Sequence, residues 1–234
     1  MYSLITIGPL RLSTYGVCLL IALYVWWSWS ERRASGRLPE WFLPTIIAAS
    51  WLGGRFGVIV AQPSTLSDML GQLLSVRILE YSWWSASTIA LLTWVFIAKR
   101  RALSFRQSFV PTIVPLLVAY GIATTGATIG GVTVGTPTNV LWSIELYGQM
   151  RHPTGIYEAV IVWVGAAWLF MRERSGLTVT WESMAIFALC VLITGGLYQD
   201  GVVMAGGLHV VQVVALFTLF VCLQRVMMQA QKHN

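Results

Sequence analysis

The chain predicts an all-α, polytopic membrane protein with seven transmembrane helices, its amino terminus outside and its carboxyl terminus cytoplasmic. Three observations lead there. Hydrophobic residues make up 56% of the 234 and charged ones only 10%, too few to cover the surface of a soluble domain this size. The apolar residues gather in seven runs, approximately 12–29, 41–61, 82–98, 109–129, 156–171, 181–199 and 208–224, each near the roughly 20 residues that cross a bilayer as a helix. The basic residues alternate between the segments joining those runs, as orientation in a membrane demands.

The first run follows only Arg11 and ends at Glu31-Arg32-Arg33 without a small-residue cleavage site, so it reads as a permanent helix and not as a removed signal. Arg32, Arg33 and Arg37 follow run one; Lys99, Arg100, Arg101 and Arg106 follow run three; Arg172 and Arg174 follow run five; Arg225 and Lys232 follow run seven. Those segments are expected to be cytoplasmic. Only Arg11, Arg77 and Arg151 fall in the alternate segments. A net charge of +6 is thereby accounted for by orientation, with attraction to anionic headgroups as a secondary effect, and nucleic acid is not an expected partner. Cys18, Cys190 and Cys222 each sit in an apolar run without CxxC spacing, which reads as packing; neither a metal nor a cofactor is expected.

No linker or soluble domain interrupts the runs, so a single transmembrane domain is expected over 1–234. Between runs two and three, Leu66, Met69, Leu70, Leu73 and Leu74 repeat at helical spacing behind Ser67, which predicts an amphipathic helix lying at the interface over 63–80. Run four closes in small residues over 121–131, favouring close helix packing over a backbone-lined cavity. After it, Gly135-Thr136-Pro137-Thr138-Asn139 predicts a turn or short hairpin before Arg151. Pro153 predicts a helix starting at or just after it. Trp26, Trp27, Trp29, Trp83 and Trp84 lie near run ends, as interfacial anchors do.

The candidate functional residues are the polar groups that apolar runs carry at a cost. Arg151, His152, Tyr157 and Glu158 stand at the start of run five, and Arg55 lies inside run two. Arg55 has three readings: it snorkels to the interface, it neutralises Glu158, or it binds a lipid phosphate. Arg151 and His152 are either a helix-start motif near the headgroups or a lipid-binding pair, histidine being the usual near-neutral proton carrier. Glu158 is favoured by the helix dipole whatever else it does. Tyr15 belongs either to the interfacial aromatic belt or to a cavity.

In order and spacing, the chain resembles the prolipoprotein diacylglyceryl transferases, multi-pass enzymes of the bacterial inner membrane. The resemblance rests on Gly8-Pro9, Tyr15-Gly16, Leu38-Pro39-Glu40, Gly54-Arg55-Phe56-Gly57, Ser104-Phe105, Gly135-Thr136-Pro137-Thr138, Arg151-His152-Pro153 with Tyr157-Glu158, and Gln212. It implies a seven-helix fold with phosphatidylglycerol as donor and a prolipoprotein as acceptor. The diacylglyceryl group passes to a lipobox cysteine thiol, and glycerol phosphate leaves. Such chemistry calls for cations on the departing phosphate and a base for the thiol. It further implies Tyr15, Arg55, Arg151, His152, Tyr157 and Glu158 as substrate-binding residues. The family's motifs depart from this chain at Trp84, Thr124, Ala127 and Val132, where the family carries a histidine, an arginine, an asparagine and an acidic residue, and no counterpart of a helix-six arginine occurs. No catalytic residue is therefore assigned. Two expectations follow: a member with reduced transferase activity, or a non-catalytic homologue that binds phospholipid or another membrane protein within an envelope assembly.

Overall fold

The computed structural model describes residues 4–7, 10–61, 81–172, 177–199, 203–204 and 207–231, side chains from 12 onward apart from 105, 106, 177, 178 and 230. The interfacial helix expected over 63–80 lies outside these residues. Among the described residues, seven long α-helices follow one another: α1 (Thr14–Ala34), α2 (Phe42–Ala61), α3 (Trp83–Arg100), α4 (Phe105–Ile129), α5 (Thr154–Met171), α6 (Leu177–Thr194) and α7 (Val210–Gln231). Each overlaps an apolar run, with ends that differ by up to seven residues where α7 continues to Gln231. Five contain segments long and apolar enough to cross a membrane: Phe42–Ala61, Gln107–Ile129, Thr154–Met171, Val179–Leu197 and Val210–Gln229. The protein is thus a multi-pass membrane protein. The weaker runs, α1 and α3, are diluted by serine, threonine and tryptophan and end in Arg32-Arg33 and Lys99-Arg100.

Two antiparallel hairpins accompany the helices. The first, β1 (Leu4–Ile7) with β2 (Leu10–Ser13), precedes α1 and was not expected, because an apolar stretch too short to span gives no periodicity that separates strand from helix. The second, β3 (Ile144–Leu146) with β4 (Gln149–Arg151), is the short hairpin expected before Arg151. Tyr147 and Gly148 join its strands with φ of 55° and 75°. Both central residues are left-handed, as the tight two-residue hairpin turn requires.

The chain forms two compact units, one of residues 1–30 and 109–234, the other of residues 31–108. In the first, Ile113, Val114 and Leu117 of α4 pack with Val162, Ala166 and Leu169 of α5 and with Val179 and Cys190 of α6. Lipid tails are as apolar as these side chains, so close packing and hydrogen bonds hold such helices together. The small residues closing α4 serve that packing, as expected. A Cβ on Gly121 would meet the Trp163 indole, and one on Gly126 would meet Cys18 of α1. Trp26 departs from its expected role as an interfacial anchor. It is only 8% exposed and its indole Nε1 donates to the Thr112 carbonyl at 3.2 Å, one turn before Pro115, where proline disturbs the helical ladder.

Helix α4 ends in a paired cap. The Val132 N–H donates to Ala127 O at 2.8 Å and the Gly131 N–H to Thr128 O at 3.1 Å, with Gly131 at φ 69°, the geometry that satisfies the last carbonyls of a helix. Helix α5 begins against that end. Pro153 brings no capping side chain; instead Thr128 Oγ1 accepts the Gly155 N–H at 3.0 Å. The approach is so close that a Cβ on Gly155 would lie 2.2 Å from Thr124 O.

In the second unit α2 and α3 run antiparallel. Gly53 faces Ile89, Gly57 faces Ser85, and Phe42 stacks edge-on against Trp94 at 5.2 Å. Helix α3 stops in the same kind of cap as α4, Leu103 N to Ala98 O at 2.9 Å and Ala102 N to Lys99 O at 3.2 Å. Here alanine, not glycine, takes the left-handed position at φ 51°. Ala102→Gly should therefore raise stability by up to about 1 kcal/mol, whereas Gly155→Val should lower it by about 1–3 kcal/mol through overpacking. Thermal unfolding in detergent micelles reads both.

Candidate functional site at the start of helix α5

The polar motif of α5 turns its groups in different directions. Arg151 closes β4, and its backbone also pairs with Pro137. The residue is 7% exposed, and its guanidinium is fully engaged on one side: Nε donates to Leu146 O at 3.3 Å, Nη1 to Gly135 O at 3.1 Å and to Gln199 Oε1, and Nη2 to Gln149 Oε1 at 2.6 Å. Four of the five donors of a guanidinium are so engaged. They tie together the hairpin, the Gly135 strand and the segment after α6.

That strand explains the Gly135-Thr136-Pro137-Thr138 motif. It lies extended between β4 and the end of α6: Thr138 N donates to Met150 O at 2.9 Å, His152 N to Thr136 O at 3.1 Å, Thr136 N to Leu197 O at 2.8 Å, and Gln199 N to Val134 O at 3.1 Å. A Cβ on Gly135 would sit 2.2 Å from His152 O, so any other residue would push the ribbon apart.

His152 and Tyr157 pair with one another, Nδ1 to the phenol oxygen at 3.3 Å with the rings edge-on at 6.0 Å. The Trp142 indole donates to the same phenol oxygen at 2.7 Å. Both His152 and Tyr157 are half-buried. Tyr15 is 5% exposed and lies against Gly130 at the end of α4, which is burial within the protein and not membership of a surface belt.

Glu158 is 3% exposed. Its Oε2 accepts from the Tyr120 hydroxyl of α4 at 2.8 Å and its Oε1 from Thr194 of α6 at 3.0 Å. Thr194 Oγ1 also lies 2.9 Å from the Cys190 carbonyl, so its one hydrogen serves one acceptor at a time. Cys190 Sγ reaches the Glu158 carbonyl at 3.8 Å. Tyr198, just past α6, faces the same carboxyl group and hydrogen-bonds to it. Tyr120, Thr194, Tyr198 and Gln199 were not singled out from the sequence. The usable signal was the rule that a carboxyl group inside apolar runs needs donors, which directs attention to hydroxyls in neighbouring runs.

Arg55 belongs to the other unit. It is 1% exposed, and its guanidinium carbon lies 5.0 Å from the centre of the Trp51 ring, one turn earlier on α2. Tyr81 donates to Ser50 O at 2.9 Å; burial raises its phenol, with the Ser50 hydrogen bond and the positive charge of Arg55 opposing. Gln212, at the start of α7, accepts from the His209 N–H at 3.1 Å and donates to Leu192 O at 3.1 Å, which joins α7 to α6. The His209 Nδ1 is buried without a hydrogen-bond partner among the described residues. Among the described residues no cluster of three potential metal ligands occurs.

Of the positions expected to depart from the family motifs, Trp84 is 82% exposed at the start of α3, and Ala127 is 5% exposed. Thr124 bonds back to the Tyr120 and Gly121 carbonyls at 3.1 and 3.3 Å. None adds an ionisable group.

Removing a donor from Glu158 should register as lost stability. Tyr120→Phe is expected to cost about 1–3 kcal/mol, the range for leaving a buried acceptor without its donor. Glu158→Gln should also destabilise, because its amide nitrogen faces a hydroxyl donor. Arg151→Lys, lacking the planar fork, should speed hydrogen exchange at Thr136, Thr138 and His152, measured by mass spectrometry.

The family model for prolipoprotein diacylglyceryl transferase matches residues 2–228. Curated proteins named phosphatidylglycerol–prolipoprotein diacylglyceryl transferase are similar across most of the chain. That of Finegoldia magna is 24% identical over 180 residues, 75% of this chain and 71% of its own length. That of Azotobacter vinelandii is 24% identical over 209 residues, covering 80% and 75%. That of Nitratidesulfovibrio vulgaris is 27% identical over 192 residues, covering 73% and 69%.

Proposed function

The chain belongs to the prolipoprotein diacylglyceryl transferase family, and from that premise we propose that it is a seven-span inner-membrane protein that holds phosphatidylglycerol but retains little of the family's transfer chemistry. The alternating Lys and Arg segments support seven spans with the amino terminus outside and the carboxyl terminus cytoplasmic. The donor is carried over from the names of the relatives, and a phosphodiester is what an arginine within an apolar helix, here Arg55, suits.

The observation that carries the reading is the engagement of Arg151. With four donors on protein acceptors, its role is to position the ribbon ahead of α5, and Glu158 likewise positions α4, α5 and α6. His152 and Tyr157 on one unit and Arg55 on the other are the groups we assign to lipid. Tyr15 acts by packing. Transfer to a prolipoprotein cysteine would form a sulfur–carbon bond, break the carbon–oxygen bond to phosphate and take the thiol proton, so it needs a base and cations on the leaving group. Trp84, Thr124, Ala127 and Val132 supply neither. Each lost electrostatic group costs about 10²–10³ in rate, so two such losses amount to about 10⁴ or more.

Leu141, 98% exposed beside Trp142 outside the helices, favours a second reading in which the protein is one subunit of an envelope assembly. A single comparison tests the first. Full-length protein in phosphatidylglycerol vesicles, given a lipobox peptide, should form thioether at least about 10⁴-fold more slowly than the Azotobacter vinelandii relative while still retaining phosphatidylglycerol in native mass spectrometry. A comparable rate would overturn the loss of chemistry, and failure to retain lipid would overturn the binding.

A further inference from the structure

The unit of residues 31–108 contains a groove. It lies between the start of α2 and the end of α3, has a volume of about 480 Å³, and is lined by Trp41, Thr45, Thr93, Phe96, Arg100 and Arg101 among others. Its wall is almost wholly apolar: Thr45 spends its hydroxyl on Trp41 O at 2.7 Å. Two cations stand over its aromatic side chains, the Arg101 guanidinium carbon 5.1 Å from the Trp41 ring centre and that of Arg100 5.0 Å from Phe96. Stacking of this kind orients a guanidinium plane while leaving its N–H edge available. Both arginines are exposed, and neither meets a carboxylate among the described residues. The Ala102 cap holds the turn that follows them in a left-handed conformation.

We propose that this groove is a site for an anionic glycerophospholipid, one acyl chain lying between Trp41, Thr93 and Phe96 and the phosphate held by Arg100 and Arg101. The charge selects the occupant. An uncharged apolar partner would gain nothing from two guanidinium groups at the rim, and a soluble anion would leave the groove unfilled. With Lys99 adjacent and the segment assigned to the cytoplasmic side, the lipid comes from the inner leaflet, whose anionic surface concentrates such cations. The site uses none of the residues of the α5 motif and is independent of transfer activity.

Photolabelling tests it. Full-length protein in phosphatidylcholine vesicles receives a trace of phosphatidylglycerol or phosphatidylcholine carrying a photoreactive group on one acyl chain, and labelled peptides are mapped. Phosphatidylglycerol should label residues 41–45 and 93–101 in clear preference to phosphatidylcholine. Arg100→Gln together with Arg101→Gln should weaken that site about twenty-five-fold, about five-fold for each charge. Thr93→Trp, which fills the groove and keeps both charges, should suppress labelling as well. An unchanged thermal transition shows that each variant is folded. Equal labelling by both lipids, persistence in the double variant, or displacement by millimolar glycerol phosphate would each overturn the assignment, the last in favour of a free-anion site.

Discussion

A carboxyl group inside an apolar bundle has to be solvated by the protein, and the way Glu158 meets that demand organises the larger unit. Its oxygens take hydroxyl donors from α4 and α6, so three helices converge on one side chain. In lipid there is no hydrophobic force between helices comparable to that in water, and interhelical hydrogen bonds and close packing hold the register. The Gly155 contact with Thr124 and Thr128 sets the distance at which α5 crosses α4, and the Glu158 cluster sets its rotation. Neither works without the other, since a wider crossing would draw the Tyr120 hydroxyl away from the carboxyl group.

Arg151 meets the same kind of demand outside the helices. A chain leaving α4 and returning to α5 has backbone groups to satisfy, and the Val134–Thr138 stretch does so by pairing with β4 on one side and with the end of α6 on the other. The guanidinium fork then cross-links carbonyl and amide oxygens from three segments. Within the motif around α5, Arg151 and Glu158 thus hold neighbouring segments together. Thr124 and Thr128 lie where α4 meets Gly155 of α5, and both are small enough to let the two helices touch there.

The second unit applies the physics differently. Small residues let α2 and α3 approach closely, while the end carrying Trp41, Arg100 and Arg101 opens into a groove where aromatic rings and cations meet. Tryptophan and arginine are both suited to the boundary between acyl chains and headgroups, since each combines an apolar face with a polar edge.

Sequence alone determined the seven helices, their approximate limits, the start of α5 after Pro153 and the hairpin before Arg151, because hydropathy and proline chemistry act locally along the chain. It also singled out Arg151 and Glu158, since charge in an apolar run is conspicuous without coordinates. It did not reveal what those groups touch. Tyr120, Thr194, Tyr198 and Gln199 lie tens of residues from their partners and are ordinary members of their own runs, and Trp26 looked like a surface anchor until its indole met Thr112. Which reading of a polar residue holds depends on helix rotation and crossing distance, and only tertiary packing decides those.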